Sequence, residues 1–120
     1  MPAYDGLTIW TSHFMADTTH LTTEEVGAYA LLLFSAWRAP DCSLPQDDQK
    51  LRKIARCSVV RWNVIRENIL EFWTPNGEGR LVQGRLTRER FNVARRSRAG
   101  RAAALARWGP LQEAKNRGRG

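Results

Sequence analysis

Cysteine, histidine and long hydrophobic runs are all scarce in this chain, and each scarcity excludes something. The 120 residues hold two cysteines, Cys42 and Cys57, too few for a disulfide framework. With no basic n-region or apolar h-region after Met1-Pro2-Ala3-Tyr4-Asp5, a secretory leader is not expected, and the two thiols are expected to be reduced. The longest uncharged apolar stretch, Val26 to Trp37, spans only 12 positions, short of the ~18 needed to cross a bilayer. The two histidines, His13 and His20, leave a metal site short of ligands, and Cys42 and Cys57 complete no CxxC or HxxxH spacing. No glycine-rich phosphate loop precedes a helix, since Gly77 and Gly79 fall in a turn between extended runs. Neither cofactor nor metal is therefore expected, and no nucleophile, base and oxyanion donor converge to suggest an enzyme.

What is present is enough for one folded domain. Hydrophobic residues make up 42% of the chain, with five tryptophans and four phenylalanines, which disfavours intrinsic disorder. The net charge of +7 is unevenly spread. From Arg85 onward, eleven basic residues face two acidic ones, a net +9, and residues 1–84 carry −2. A near-neutral body with a cationic arm points to a polyanion, nucleic acid first. The alternative is a solubilising face on an exposed helix. Lys115 is the arm's only lysine. That favours phosphate contact, because a guanidinium bonds phosphate bidentately and an ammonium does not.

Caps and periodicity set the elements. Leu7–Trp10 is read as a short strand in an aperiodic opening segment. Thr22 and Glu25 have capping-box spacing, and Leu21 and Val26 are placed as a hydrophobic staple, so a helix is predicted from about Thr23 to Arg38, stopped by Pro40. Apolar nearly all round, it is expected either at the centre of a core or at a homodimer interface. A second helix is predicted from about Asp47 to Arg56. A third, capped by Ser58, reaches about Phe72 with Trp62, Ile65, Ile69 and Phe72 inward. The short link Arg56-Cys57-Ser58 gives the pair the form of a helix-turn-helix. Extended runs on either side of Asn76-Gly77 then read as a hairpin. The expected fold is mainly α, a winged helix-turn-helix of three helices plus a hairpin wing over residues 1–86. A basic helix is expected over 87–108, starting at Thr87 with Leu86 and Phe91 as a second staple and bending at Gly100. A disordered tail is expected over 109–120.

The candidate site follows from this layout. On the third helix the outward positions are Val60, Asn63, Val64, Glu67 and Glu71, with Arg61 at the flank. Asn63 is the candidate reader of adenine and Arg61 of guanine. Glu67 and Glu71 oppose phosphate, so either the first turn alone enters a groove or this face meets a protein. Lys50, Arg52, Lys53 and Arg56 on the second helix, Arg80 on the wing, and Arg95, Arg96, Arg98 and Arg101 on the last helix are the candidate phosphate contacts. If five to eight engage, log K falls against log salt with a slope of roughly −4.5 to −7. Asp17 and His20 could be acid/base or metal groups. The alternative is that Asp17-Thr18-Thr19 bonds local backbone ahead of the first helix. Trp73 or Trp108 could stack on single-stranded bases.

A longer pattern runs through Met15-Ala16-Asp17-Thr18-Thr19-His20-Leu21-Thr22, Glu25-Val26-Gly27-Ala28-Tyr29, Leu31-Leu32-Leu33 and Trp37. It continues through Leu44-Pro45, Asp47-Asp48, Leu51 to Arg56, Trp62, Phe72, Arg85-Leu86 and Glu89, and through the ending Arg101 to Trp108. In these residues the sequence resembles the YdaU-type family, a domain of unknown function in phage and prophage proteins, often the N-terminal part of proteins assigned to replication initiation. The resemblance implies a winged-helix-like fold and a role in phage DNA replication or regulation, with no established activity. A second replication domain is expected to be missing, because the chain stops soon after the match. The expectation is thus a DNA-binding protein of the bacterial cytoplasm that takes duplex DNA as partner. The alternative is an assembly module that docks a replication or host protein, or a second copy through the apolar first helix. No membrane partner is expected.

Overall fold

Thr22 opens the longest helix of the body as its spacing predicts. The computed structural model describes residues 4–119, with side chains described for 4–100 and 102, and the chain divides into two units, Met1–Arg88 and Glu89–Gly120. The boundary expected from the sequence fell after residue 86.

The opening segment departs from expectation. Leu7–Trp10 is not a strand; the regular element here is a short helix, α1 (Thr11–Asp17). Its apolar residues look aperiodic because only Phe14 turns inward, stacking on Tyr29 at 5.9 Å, while Ile9, Trp10 and Met15 stay exposed. Thr18 closes the helix, its backbone N–H and its hydroxyl both donating to the Phe14 carbonyl.

α2 (Thr23–Arg38) has the full capping box. The Thr22 hydroxyl accepts from the Glu25 N–H at 3.2 Å, and the Glu25 carboxylate accepts from the Thr22 N–H at 2.9 Å. Ala39, just before Pro40, is extended and ends the helix. The apolar character of α2 is absorbed by the core: Ala28, Tyr29, Leu32, Leu33, Ala36 and Trp37 are buried, and the helix packs on α3 (Asp48–Ile54), α4 (Val59–Leu70) and β1 (Leu44–Pro45). Phe34 remains exposed.

α3 is capped by Asp47, whose carboxylate accepts from the Lys50 N–H at 3.1 Å. It stops sooner than expected. The Arg56 N–H bonds the Lys53 carbonyl and the Cys57 N–H bonds the Arg52 carbonyl, the two bonds of a Schellman ending. The left-handed position in that ending, φ +60°, is filled by Arg56 and not by the usual glycine. Ser58 then caps α4, accepting from the Arg61 N–H at 3.1 Å, and Trp62, Ile65 and Ile69 face inward as the 3-4 spacing predicts.

β2 (Thr74–Pro75) and β3 (Arg80–Val82) form the expected antiparallel hairpin. Asn76 shapes its turn, its side-chain oxygen accepting from the Glu78 and Arg80 N–H groups, while Gly77 and Gly79 take φ of +82° and +76°. β1 was not foreseen. It pairs antiparallel with β3, Leu44 opposite Leu81, and gives a three-stranded sheet in the order β1-β3-β2. The body is therefore mainly helical with one small sheet.

α5 (Gly84–Arg119) begins upstream of the expected Thr87. Thr87 lies within the helix, its hydroxyl donating to the Gln83 carbonyl four residues back, so it caps nothing. With the start moved, Leu86 and Phe91 form no staple: Leu86 is buried and Phe91 is exposed. The backbone stays helical through Gly100, Gly109-Pro110 and most of the tail expected to be disordered. Strong helix formers on both sides, Ala102 to Ala106 and Leu111 to Lys115, support this continuation. The side chains of 101 and 103–120, Arg101 and Trp108 among them, lie outside the described residues.

Candidate nucleic-acid interface

The α3–turn–α4 pair presents most of the residues singled out from the sequence, and the structure sorts them into spent and unspent charges. Arg52 is spent on the turn itself. Its guanidinium donates to the Gln49 side chain and, at 3.1 Å, to the Cys57 carbonyl, so it fixes the helix-turn-helix from inside. Burial beside it pushes the Cys57 thiol above its ordinary pKa, leaving a weak nucleophile.

Arg61, the expected guanine reader, is drawn off the outward face. It holds Glu24 of α2 in a two-pronged pair, Nε to one carboxylate oxygen at 3.0 Å and Nη2 to the other at 2.7 Å. That bond holds the Glu24 carboxyl below its ordinary pKa and raises Arg61 above its own. Arg80 is likewise engaged. It donates to the Ser43 hydroxyl at 2.8 Å and to the Ser43 carbonyl, and lies 3.5 Å from Asp41. It thereby braces the hairpin against the segment leading into β1. Asp41 is held low in pKa by the Ser43 hydroxyl first, with Arg80 adding to it.

The other expected contacts stand differently. Lys50, Lys53 and Arg56 are exposed and form no ion pair among the described residues. In the second unit, Arg95 and Arg98 are exposed and unpaired among the described residues, whereas Arg96 pairs with Glu89 at 3.1 Å. Arg101 lies outside the described side chains. Arg88, exposed and unpaired among the described residues at the end of the first unit, belongs with the free cations although only its charge drew notice in the sequence.

The positions of α4 expected to face outward do so, as does Glu71 at its C-cap. Val60, Asn63, Val64, Glu67 and Glu71 are all exposed, and Val60 and Val64 are 71% and 61% accessible. The inward side is fixed by polar anchors as well as by its apolar stripe. The Trp62 indole donates to Asp48 at 2.9 Å, and Arg66 bonds the same carboxylate oxygen. Together they hold Asp48 below its ordinary pKa, Trp62 contributing most. Asn68 donates to the buried Glu25 carboxylate at 2.7 Å and so ties α4 to the capping box of α2.

The acid/base reading of Asp17 and His20 finds no shared site. Asp17 pairs with Arg85 at 2.8 Å, and His20 meets Glu71 at 3.0 Å, while Thr18 and Thr19 bond local backbone as the alternative reading expects. Among the described residues no three His, Cys, Asp or Glu side chains gather as a metal site. A shallow groove of about 390 Å³ runs between the start of α3, the end of α4 and the hairpin. Its acidic rim is already committed, Asp48 to Trp62 and Arg66, and Asp47 to the α3 cap.

These features define a mainly helical domain, braced by internal ion pairs, that carries a basic helical extension. The chain belongs to the family described as "Protein of unknown function (DUF1376)", whose model matches residues 8–90. It is 34% identical over 110 residues to the "Uncharacterized protein YdaU" of Escherichia coli (strain K12). The match covers 89% of this chain and 38% of that protein, so the chain corresponds to well under half the length of its relative. No solved structure is significantly similar to it. Among the described residues no helix is long and apolar enough to cross a membrane.

Proposed function

We propose that this domain is a winged helix-turn-helix that binds duplex DNA, acting in phage or prophage replication initiation or transcriptional control in the bacterial cytoplasm. The observation that carries the reading is the outward face of α4. Its first two turns hold no acid, its polar residue Asn63 makes no internal bond among the described residues, and the unpaired Lys50, Lys53 and Arg56 lie on the helix and turn that precede it. Topology supports the reading: the strand between the first two helices of the helical core joins the edge of the closing hairpin, as it does in winged helices. α4 would place its N-terminal half in the major groove. Glu67, seven residues after Val60 and so about 10 Å along the helix, would lie where the helix leaves the groove. The arginines of α5 would add phosphate contacts that position the duplex without reading it.

The structure narrows the electrostatic expectation. With Arg52, Arg61, Arg80 and Arg96 engaged internally, the expected phosphate-binding groups still free among the described side chains are Lys50, Lys53, Arg56, Arg95 and Arg98. These five alone give a slope of log K against log salt of about −4.5 on duplex DNA. Titrating the chain against random-sequence duplex at two salt concentrations tests this, with Arg95, Arg96, Arg98 and Arg101 replaced by alanine as the second arm. Binding with the expected slope, shallower in the variant, supports the reading. No binding at low salt removes it.

A second reading is favoured by one observation. Ile9, Trp10 and Met15 are exposed around α1, an apolar surface suited to a protein partner or a second copy. Light scattering with and without DNA separates the two, since a stable assembly indifferent to DNA belongs to the second.

A further inference from the structure

We propose that the outward face of α4 selects A·T base pairs, with Val60 and Val64 against thymine methyl groups and Asn63 bonded to adenine. This rests on the DNA-binding reading and goes beyond it by naming what is read.

Three features of α4 carry the inference. Val60, Asn63 and Val64 stand at i, i+3 and i+4, so they share one face, and all three are exposed. In the major groove the one apolar group offered by unmodified bases is the thymine C5-methyl, and two exposed valines one turn apart present the matching surface. An asparagine amide fits the N6 donor and N7 acceptor of adenine with two hydrogen bonds. Asn63 makes no hydrogen bond among the described residues, so its amide is free to do so.

The third feature excludes the other base pair. Guanine is read above all by arginine or lysine, and the cation nearest this face on α4 is Arg61. Its guanidinium is already closed on Glu24 by two bonds, so contact with guanine would first require breaking that pair. Arg66, further along the helix, is held by Asp48. The free cations Lys50, Lys53 and Arg56 lie on α3 and the turn that leads into α4, off the reading face. The first two turns of the reading face are thus apolar and amide, and its acid, Glu67, lies on the turn beyond them.

The test uses the 120-residue chain and fluorescence anisotropy on duplexes of equal length. One is A·T-rich, one is G·C-rich, one is the A·T duplex with deoxyuridine replacing thymidine, and one is the A·T duplex with 7-deazaadenine. The expected preference for A·T over G·C is about tenfold or more. Deoxyuridine is expected to weaken binding about fourfold for each thymine methyl that a valine covers. The Val60→Ala/Val64→Ala variant is expected to bind thymine and uracil duplexes equally, and Asn63→Ala to be indifferent to 7-deazaadenine. These side chains are exposed, so the variants keep the fold, which circular dichroism verifies. Equal, salt-sensitive binding to A·T and G·C duplexes overturns the proposal and leaves the DNA-binding reading standing. An A·T preference indifferent to both base analogues also overturns it, because it would come from groove shape. Binding to no duplex removes both.

Discussion

Glu25 is the point at which the stability of the body and the placement of the candidate reading helix meet. One of its oxygens accepts the Thr22 N–H at 2.9 Å and the other accepts the Asn68 amide at 2.7 Å, with the residue only 5% exposed. Glu25→Ala removes both bonds. A hydrogen bond to a charged group contributes about 1.5–3 kcal/mol, and Asn68 is exposed enough to be rehydrated, so the loss should be about 3 kcal/mol. For a body of this size that lowers the melting temperature by about 12 °C or more. Glu25→Gln keeps one acceptor and should cost about 1 kcal/mol, because Asn68 can rotate to offer its oxygen to the new amide.

The pH dependence provides an independent check. The Thr22 backbone N–H, and after it Asn68, hold the Glu25 carboxyl below its ordinary pKa. A depressed folded-state value means that the carboxylate stabilises the fold above the ordinary glutamate range. That contribution is lost as pH falls from this range through the lower folded value. Glu24, Asp41 and Asp48 are depressed too, but they are common to both proteins. The difference between the wild-type and Glu25→Gln curves therefore isolates this one group. Urea melts from about pH 7 down to about pH 2 should show the gap between the two proteins closing in acid. Parallel curves, or a Glu25→Ala cost under about 1 kcal/mol, would refute the tie between α2 and α4.

Two further outcomes follow from the same geometry. Arg56→Gly relieves a non-glycine residue at φ +60° and should raise stability by roughly 1 kcal/mol, while weakening duplex binding and making the salt slope shallower by about 0.9. Paired urea melts and salt titrations check it, and a stabilised variant with an unchanged slope would show that Arg56 touches no phosphate. Glu24→Ala frees the Arg61 guanidinium and should steepen the salt slope by about 0.9 and raise affinity for G·C-rich duplex, with little change in the thermal melt because the pair is exposed. Unchanged affinity on G·C-rich duplex would mean that Arg61 does not reach the groove even when released.

Local chemistry was readable in the residues; pairing at a distance was not. Thr22 with Glu25, Ser58 and the Asn76-Gly77 turn each act on backbone within four residues of themselves, and each is placed by the sequence alone. β1 escaped because it is two residues long, includes a proline and pairs with a strand 36 positions later. α1 escaped because a helix with one inward side chain carries no periodic signal. The arginines divided for the same reason. Arg61 and Arg80 each lie 37 residues from the acceptor that engages them, and no spacing rule reveals such a partner.

The valines of α4 carry a different kind of information, legible once burial is known. β-branched side chains lose rotamer freedom in a helix, a cost normally offset by packing. Val59, Val60 and Val64 gain little such packing, since each is at least half exposed, on a helix whose inward face is complete without them. Lysine, glutamate or alanine at these positions would favour the same helix in water. Where local preference and fold disagree without a structural gain, a functional or strained site is the expectation. That disagreement falls on the turns of α4 that carry no acid and follow the free cations of α3, and it is the strongest reason to look for a ligand there.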